Sequence, residues 1–260
     1  MKHLFVIIFL LSVSFNALSQ DSATMAAPAS VSADDDAIIL YRHEASGGLT
    51  VHSNGWGVTF KTGKHITGFR KRILDFEIVS MSHPKEYRTP SSYDGAKSFI
   101  YGKLNSVLIV RSGWGYQNVL ASKGERSGVE LRLNYYIGFN LGLAKPVYLD
   151  IIVDDPNNPN DAVQILVSKR YDPTDPDQSI DHIYGGSSFF KGFGQMSFYP
   201  GAYGKFAFSF EYAGWQQKIA ALETGVMLDF FPKAIPIMAY NTFENIYLNF
   251  YISIVWGGKW

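Results

Sequence analysis

The sequence predicts an all-β protein, a transmembrane antiparallel up-and-down β-barrel of eight strands, with ten strands as the alternative. The last sixteen residues, 245–260, alternate bulky apolar residues with small, hydroxyl and amide residues and end on Trp260. Similar segments with a period of two recur along the chain. Aromatic residues make up 15% of the chain, while mean hydropathy is only −0.02. Strands with one face toward lipid and one toward a polar interior produce this combination.

Residues 1–19 have the pattern of a secretion signal. Lys2 supplies a positive charge, residues 4–15 are almost entirely apolar, and Ala17-Leu18-Ser19 has the small-x-small form of a cleavage site. The mature chain is therefore predicted to begin at Gln20. The apolar run is short for a bilayer crossing, which takes about 20 residues; an uncleaved N-terminal anchor is the alternative.

After the signal, the sequence predicts a flexible segment over residues 20–45, because this stretch is small, polar and acidic. The barrel is predicted over residues 46–260, with a long loop at 154–200. The chain contains no cysteine. This absence excludes lipoprotein anchoring, disulfides, thiolate metal sites and a cysteine nucleophile.

Eight segments carry the period-two pattern, and an even number suits the closure of bacterial barrels. The most regular is 129–143, in which eight apolar positions alternate with polar or small residues. Segment 162–171 could pair with 147–153 above the membrane; if 162–171 and 187–198 both entered the wall, the count would be ten. The predicted wall strands are 48–61, 66–80, 104–120, 129–144, 146–154, 202–213, 218–231 and 245–258.

With both termini in the periplasm, these strands fix where each connection lies. The connections predicted to face outward are 62–65, 122–128, 154–200 and 232–244. Those predicted to face the periplasm are 82–103, 145–146 and 214–217. Periplasmic turns are usually short, so the length of 82–103 is a conflict. Either the strand count before it is wrong by one, or this loop acts in the periplasm.

The predicted inner face collects four basic and six acidic residues. The interior of an eight-stranded barrel is about filled by side chains, so opposite charges there are expected to pair. This predicts a plugged barrel; a narrow path lined by acids is the alternative and needs a wider barrel. The residues are Lys61, Lys71, Asp75, Glu77, Glu130, Arg132, Lys205, Glu211, Glu223 and Asp229.

No catalytic residue, metal site or cofactor is predicted. The histidines considered for catalysis are His43, His52, His65, His83 and His182. His52 and Ser53 are neighbours in a strand, so they point to opposite faces and cannot form a nucleophile–base pair. The acidic stretches 154–161 and 172–177 lack the spacing of a calcium loop and are predicted to be solvated turns.

Aromatic and basic residues are expected at the two membrane interfaces. Trp114 with Tyr116, and Trp256 with Trp260, are predicted to lie in interfacial girdles. A basic cluster beside the first predicted outer turn could hold phosphates of lipopolysaccharide, because Lys and Arg bind such anions. That cluster consists of Lys64, Arg70 and Arg72.

The terminal strand resembles the C-terminal signal of bacterial outer-membrane β-barrels. The resemblance implies that the barrel-insertion machinery reads Phe250, Ile252, Ile254, Trp256 and Trp260. The stretches YRHEASGGLTVHSNGWGV and GKHITGFRKRILDFEIVSMSHPKE resemble an uncharacterised family of small outer-membrane barrels of the Bacteroidota type. That likeness implies an integral protein of the cell outer membrane, after export, and carries no catalytic motif.

These observations predict a non-enzymatic structural or accessory subunit of a larger cell-envelope complex for protein secretion or barrel assembly. A pore for ions or small solutes is the alternative, and a lipid A-modifying enzyme is a weaker one. The predicted partners are outer-membrane lipid and lipopolysaccharide, the insertion machinery and other envelope proteins. Formal net charge is zero, so no nucleic-acid partner is expected.

Overall fold

The computed structural model describes residues 42–122, 128–154, 164–212 and 218–260. The predicted signal peptide, its cleavage site and nearly all of the predicted flexible segment lie outside these ranges. No helix in the described ranges is long and apolar enough to cross a membrane.

The described residues form thirteen strands and two short 3-10 turns, at Pro176–Gln178 and Phe193–Gln195. The strands are β1 (His43–His52), β2 (Gly55–Thr67), β3 (Arg70–Met81), β4 (Arg88–Thr89), β5 (Phe99–Ile100), β6 (Asn105–Ala121), β7 (Val129–Pro146), β8 (Tyr148–Asp154), β9 (Gln164–Arg170), β10 (Ile183–Gly186), β11 (Ser197–Tyr212), β12 (Lys218–Phe230) and β13 (Ile246–Lys259).

Eight of these strands close into a barrel, in the order β1-β13-β12-β11-β7-β6-β3-β2. Every neighbouring pair is antiparallel, and sequential wall strands are neighbours. The ring closes where β1 pairs with β13, with Leu49 opposite Ile254. The predicted eight-stranded up-and-down barrel is therefore confirmed.

Two of the predicted wall strands were assigned wrongly. The predicted strand 48–61 is two strands, β1 and β2, joined through Ser53 and Asn54. The turn is easy to miss because apolar side chains on both sides of it, Val51 and Trp56, face outward. The predicted wall strand 146–154 is β8, which pairs with β9 and β10 instead of joining the barrel. One wall strand was missed and one was added, so the predicted number of eight wall strands is right although two of the predicted strands are not.

The corrected strand order places every long connection at one end of the barrel. This loop end carries 53–54, 82–104, the described residues of 147–196, and 231–245, whereas the other end, the termini end, carries the chain's entry into β1 and its exit from β13. Connection 82–103 was predicted at the termini end, and this was wrong because the strand count before it was short by one. For the same reason 145–146 lies at the loop end, while residues 62–65 and the strand ends flanking 122–128 lie at the termini end. Residues 214–217 are outside the described ranges.

The loop end has folded structure of its own. Strands β8, β9 and β10 form a small sheet, and β4 pairs with β5. Segment 162–171, which was considered as a partner of 147–153, forms β9 and pairs with β8 over its described residues. A cluster of apolar side chains holds this assembly together. The cluster includes Phe99, Leu149, Ile151, Tyr171, Ile183 and Ala239.

Candidate functional site: a charged interior beneath an apolar cap

The outside of the barrel is an apolar belt. The outward residues of β13 are each between 48% and 66% exposed, although all are large and apolar. They cover ten residue steps, or about 33 Å along the strand, which becomes about 25 Å along the axis of a barrel with strands tilted by about 40°. This is the height of a membrane's apolar band. The residues are Ile246, Leu248, Phe250, Ile252, Ile254 and Trp256.

The inside of the barrel is polar and charged. All ten charged residues predicted for the inner face lie on inward positions of the wall strands, and all except Glu130 are at most 6% exposed. Three further charged residues point inward, namely Glu44, Arg111 and Lys259. Six basic and seven acidic side chains therefore share the described interior.

Among the described residues, three cations form ion pairs across the lumen, because each joins wall strands that are three positions apart in the ring. Arg111 on β6 donates to Asp229 on β12 through Nε, at 2.9 Å, and Nη2, at 2.6 Å. Lys61 on β2 donates to Glu223 on β12 at 2.5 Å. Lys205 on β11 is paired with both Glu77 and Asp75 on β3.

The central layer ties these pairs into one network. Arg111 also donates to Glu77 at 3.2 Å, so Glu77 is shared between two cations. The ammonium of Lys205 lies 4.3 Å from the ring centroid of Tyr251, whose hydroxyl donates to Glu223 at 2.6 Å. Charges buried in this way are stable only when each has partners, and this layer supplies them.

Gly113 makes space for another member of the network. A Cβ at this position would stand 2.6 Å from the hydroxyl oxygen of Tyr203. Because Gly113 has none, the Tyr203 hydroxyl reaches past it and donates to Asp75 at 3.4 Å.

A second layer of ion pairs lies toward the termini end. Lys71 donates to Glu44 at 2.5 Å, and Lys259 donates to Glu211 at 2.5 Å. Arg132 is paired with both Glu130 and Glu211. Between this layer and the central one lies a cavity of about 30 Å³, which has room for about two water molecules.

An apolar cap covers the loop end of the lumen. Phe231, Ile235 and Ile237, from the connection between β12 and β13, are buried against inward residues of the wall such as Ile109. A Cβ at Gly142 would stand 2.8 Å from Ile235 Cδ1, so the absence of a side chain there allows the cap to seat. The cap is held by backbone hydrogen bonds, including Leu104 N–H to the Ile237 carbonyl at 2.9 Å.

The five described histidines each lie beside a different partner. His52 Nε2 lies 3.1 Å from the Ser80 carbonyl, while the Ser53 hydroxyl donates to the Phe250 carbonyl. The others lie beside different partners: His43 beside Trp260, His65 near Glu44, His83 with Lys85 and His182 with Ser179. Among the described residues, no group of three or more His, Asp or Glu side chains could hold a metal ion.

The acidic stretch 172–177 forms hydrogen-bonded turns. The Thr174 hydroxyl donates to Asp172 at 2.7 Å, and the Thr174 N–H donates to the same oxygen at 2.9 Å. These two bonds hold the pKa of Asp172 below its usual value. In the same way Asp175 accepts from the N–H of Asp177 at 3.1 Å. Most of the other acidic stretch, 154–161, lies outside the described residues.

The predicted basic cluster lies outside the barrel, at the opposite end from the one predicted. Lys64, Arg70 and Arg72 are exposed on outward positions of β2 and β3. The hairpin turn beside them, at Gly68-Phe69, is at the termini end. The predicted turn at 62–65 is absent, because these residues lie within β2.

A closed barrel with an apolar outside and a charged, filled inside defines the class as a transmembrane β-barrel. No protein-family model and no curated protein matches the chain. Among solved structures, Ail, the attachment invasion locus protein of Yersinia pestis, is 7% identical over 85% of this chain and 100% of that chain, with a TM-score of 0.41. Neisserial surface protein A is 12% identical (85% and 97% covered; TM-score 0.40), and OprG from Pseudomonas aeruginosa is 9% identical (85% and 96%; 0.36).

Proposed function

We propose that this protein is a non-enzymatic, non-conducting β-barrel of the bacterial outer membrane. It serves as a structural or accessory subunit of a larger cell-envelope complex, of the kind that secretes proteins or assembles barrels. The observation that carries the proposal is the filled lumen, in which ion pairs of three cations cross the described interior beneath an apolar cap. A barrel with a filled lumen acts through the contacts that its outer surfaces make with other molecules.

The belt and the loops support this choice of membrane and this orientation. Closed barrels with an apolar belt are structures of bacterial outer membranes, where periplasmic turns are short and extracellular loops long. The loop end therefore faces outward, and the termini end faces the periplasm. The loop half of the belt contacts lipopolysaccharide and the other half contacts phospholipid.

The outward apolar residues at the end of the chain support recognition by the insertion machinery. The residues concerned are Phe250, Ile252, Ile254, Trp256 and Trp260, and each is between 48% and 66% exposed.

A partner surface is available at the loop end. Phe189, Phe190 and Phe193 pack on one another, with ring centroids 5.5 to 6.5 Å apart. Phe189 and Phe190 nevertheless remain 68% and 80% exposed, and the ammonium of Lys145 lies 4.0 Å from the Phe189 ring centroid. Exposed apolar patches of this kind mark interaction sites. The surface suits a subunit that docks through its folded loops.

Photo-crosslinking in intact cells tests the proposal. A crosslinking residue at Phe190 is expected to give a discrete species of higher mass, because this position lies on the partner surface. Phe139 is the matched control, since it is 71% exposed but faces lipid in the belt. If position 190 yields only monomer, as position 139 is expected to do, the accessory role is wrong. Conductance measurements separate this function from the alternative of a pore.

A further inference from the structure

Three cations stand together on the lipid-facing surface at the termini end. Lys64, Arg70 and Arg72 occupy outward positions on the hairpin of β2 and β3 and are exposed. One row further toward the middle of the barrel, the outward residues are Leu74 and Trp114, which are 45% and 50% exposed and apolar. The cations therefore lie at the edge of the belt nearest the termini end, where lipid headgroups meet the hydrocarbon.

These cations have no carboxylate partner among the described residues. Lys64 and Arg72 are directly opposite each other across the strand pair. Directly opposed side chains have Cβ atoms about 5 Å apart, and like charges at such positions destabilise a sheet. An anion bound between them would remove this repulsion.

Neighbouring tyrosines orient the third cation. The guanidinium of Arg70 lies 4.0 Å from the ring centroid of Tyr116 and donates to the Tyr135 hydroxyl at 3.5 Å. Tyr116 is itself opposite Arg72 on the next strand. The planar group of Arg70 is thus held beside the other two cations, and guanidinium groups bind phosphate through paired hydrogen bonds.

We propose that Lys64, Arg70 and Arg72 form a binding site for the phosphate of an anionic glycerophospholipid in the periplasmic leaflet. The inference rests on the proposed function, because that function puts the termini end in the periplasm. Lipopolysaccharide offers the same phosphate chemistry, but it belongs to the leaflet at the loop end. The site would fix the depth and rotation of the barrel against its lipids.

Native mass spectrometry of the full-length protein in detergent tests this site with phosphatidylglycerol as the probe. The variant K64Q/R70Q/R72Q is expected to bind it at least tenfold more weakly than the unchanged protein, which corresponds to about 1.4 kcal/mol. The matched control K85Q/R88Q/K97Q removes the same charge from exposed positions at the loop end and is expected to bind normally. Phosphatidylcholine, which has no net charge, is expected to bind weakly to all three proteins.

Several results would overturn the site. The first is that the triple variant binds phosphatidylglycerol as tightly as the unchanged protein. The second is that the control variant loses as much affinity as the triple variant. The third is that the unchanged protein prefers lipid A and the triple variant loses this preference. Circular dichroism checks that each variant is folded. If the triple variant does not fold, the single variant R72Q replaces it and is expected to bind phosphatidylglycerol about threefold more weakly than the unchanged protein. Ion conduction by the protein would contradict the proposed function but would not affect the lipid-binding result. Unchanged binding of phosphatidylglycerol by the triple variant would contradict only the lipid site.

Discussion

Arg111 and Asp229 are 118 residues apart in the chain, yet they form a bidentate ion pair across the centre of the barrel. Both side chains are fully buried. The strands that carry them are three positions apart in the ring, so the pair spans the lumen rather than following the wall. With Lys61–Glu223 and Lys205–Glu77, it makes the interior a substitute for an apolar core.

Replacing Arg111 by Met is expected to destabilise the barrel by about 3–5 kcal/mol, because Asp229 is left buried without its cation. Urea unfolding in lipid vesicles measures the change in the free energy of unfolding. Arg88→Met, at an exposed position of the loop end, is the matched control and is expected to change stability by less than about 0.5 kcal/mol.

The double variant R111M/D229N sharpens this prediction. It removes the charge left behind by the single change, so its cost is expected to be smaller than the sum of the two single costs. Additive costs would mean that the two side chains do not act as a pair.

A charge on the outside of the barrel is expected to cost more at the centre of the belt than at its edge. Ile252 and Trp256 both face outward on β13 and are 56% and 52% exposed. Ile252→Arg is expected to cost about 2–4 kcal/mol and Trp256→Arg about 0–1 kcal/mol, because the penalty depends on depth in the bilayer. Unfolding in vesicles gives both values. Equal penalties at the two positions would contradict the placement of the belt.

A side chain at Gly142 is expected to displace the cap, because the position of its Cβ is 2.8 Å from Ile235 Cδ1. Gly142→Leu should therefore speed hydrogen–deuterium exchange of the Leu104 amide, which donates to the Ile237 carbonyl of the cap, and of the Ala239 amide, which follows the cap in the chain and donates to the Gly102 carbonyl. Gly204→Leu is the control, since the nearest atom to a Cβ there is 3.9 Å away. Unchanged exchange in Gly142→Leu would show that the cap does not depend on this contact.

Lipid A is expected to have the same mass in cells that produce the unchanged protein and in cells that produce His52→Ala. His52 Nε2 is engaged with the Ser80 carbonyl, and Ser53 is bonded elsewhere. Mass spectrometry of extracted lipid A makes the comparison. A difference that requires His52 would establish an enzyme and contradict the non-enzymatic proposal.

The barrel class was predictable because the wall repeats one simple rule. Lipid outside and charge inside force a period of two, which 129–143 and the last strand display over many residues. Arg111 was missed because its strand is less regular: Gly113 and Gly115 follow it on the inner face, while Ser112 faces outward. Glu44 was missed because the barrel was predicted to begin at residue 46.

The sequence could not predict which interior charges pair with each other, and the reason is physical. Partners such as Lys61 and Glu223 are 162 residues apart, and only closure of the ring brings them together. The first error in placing the connections was at Ser53-Asn54, before Gly55, where the turn between β1 and β2 was not predicted. Asn-Gly is a strong hairpin signal, and reading it as a turn would have moved 82–103 to the loop end.

Ion conductance in planar lipid bilayers tests the central claim, a lumen closed by its own side chains. The full-length protein, purified and inserted into the bilayer, is expected to give no steady current at any applied voltage, because ion pairs across the lumen and an apolar cap fill the interior. Insertion is verified in the same membranes by protease protection of the wall strands. Steady, unitary current steps from the inserted protein would contradict the account and establish a pore.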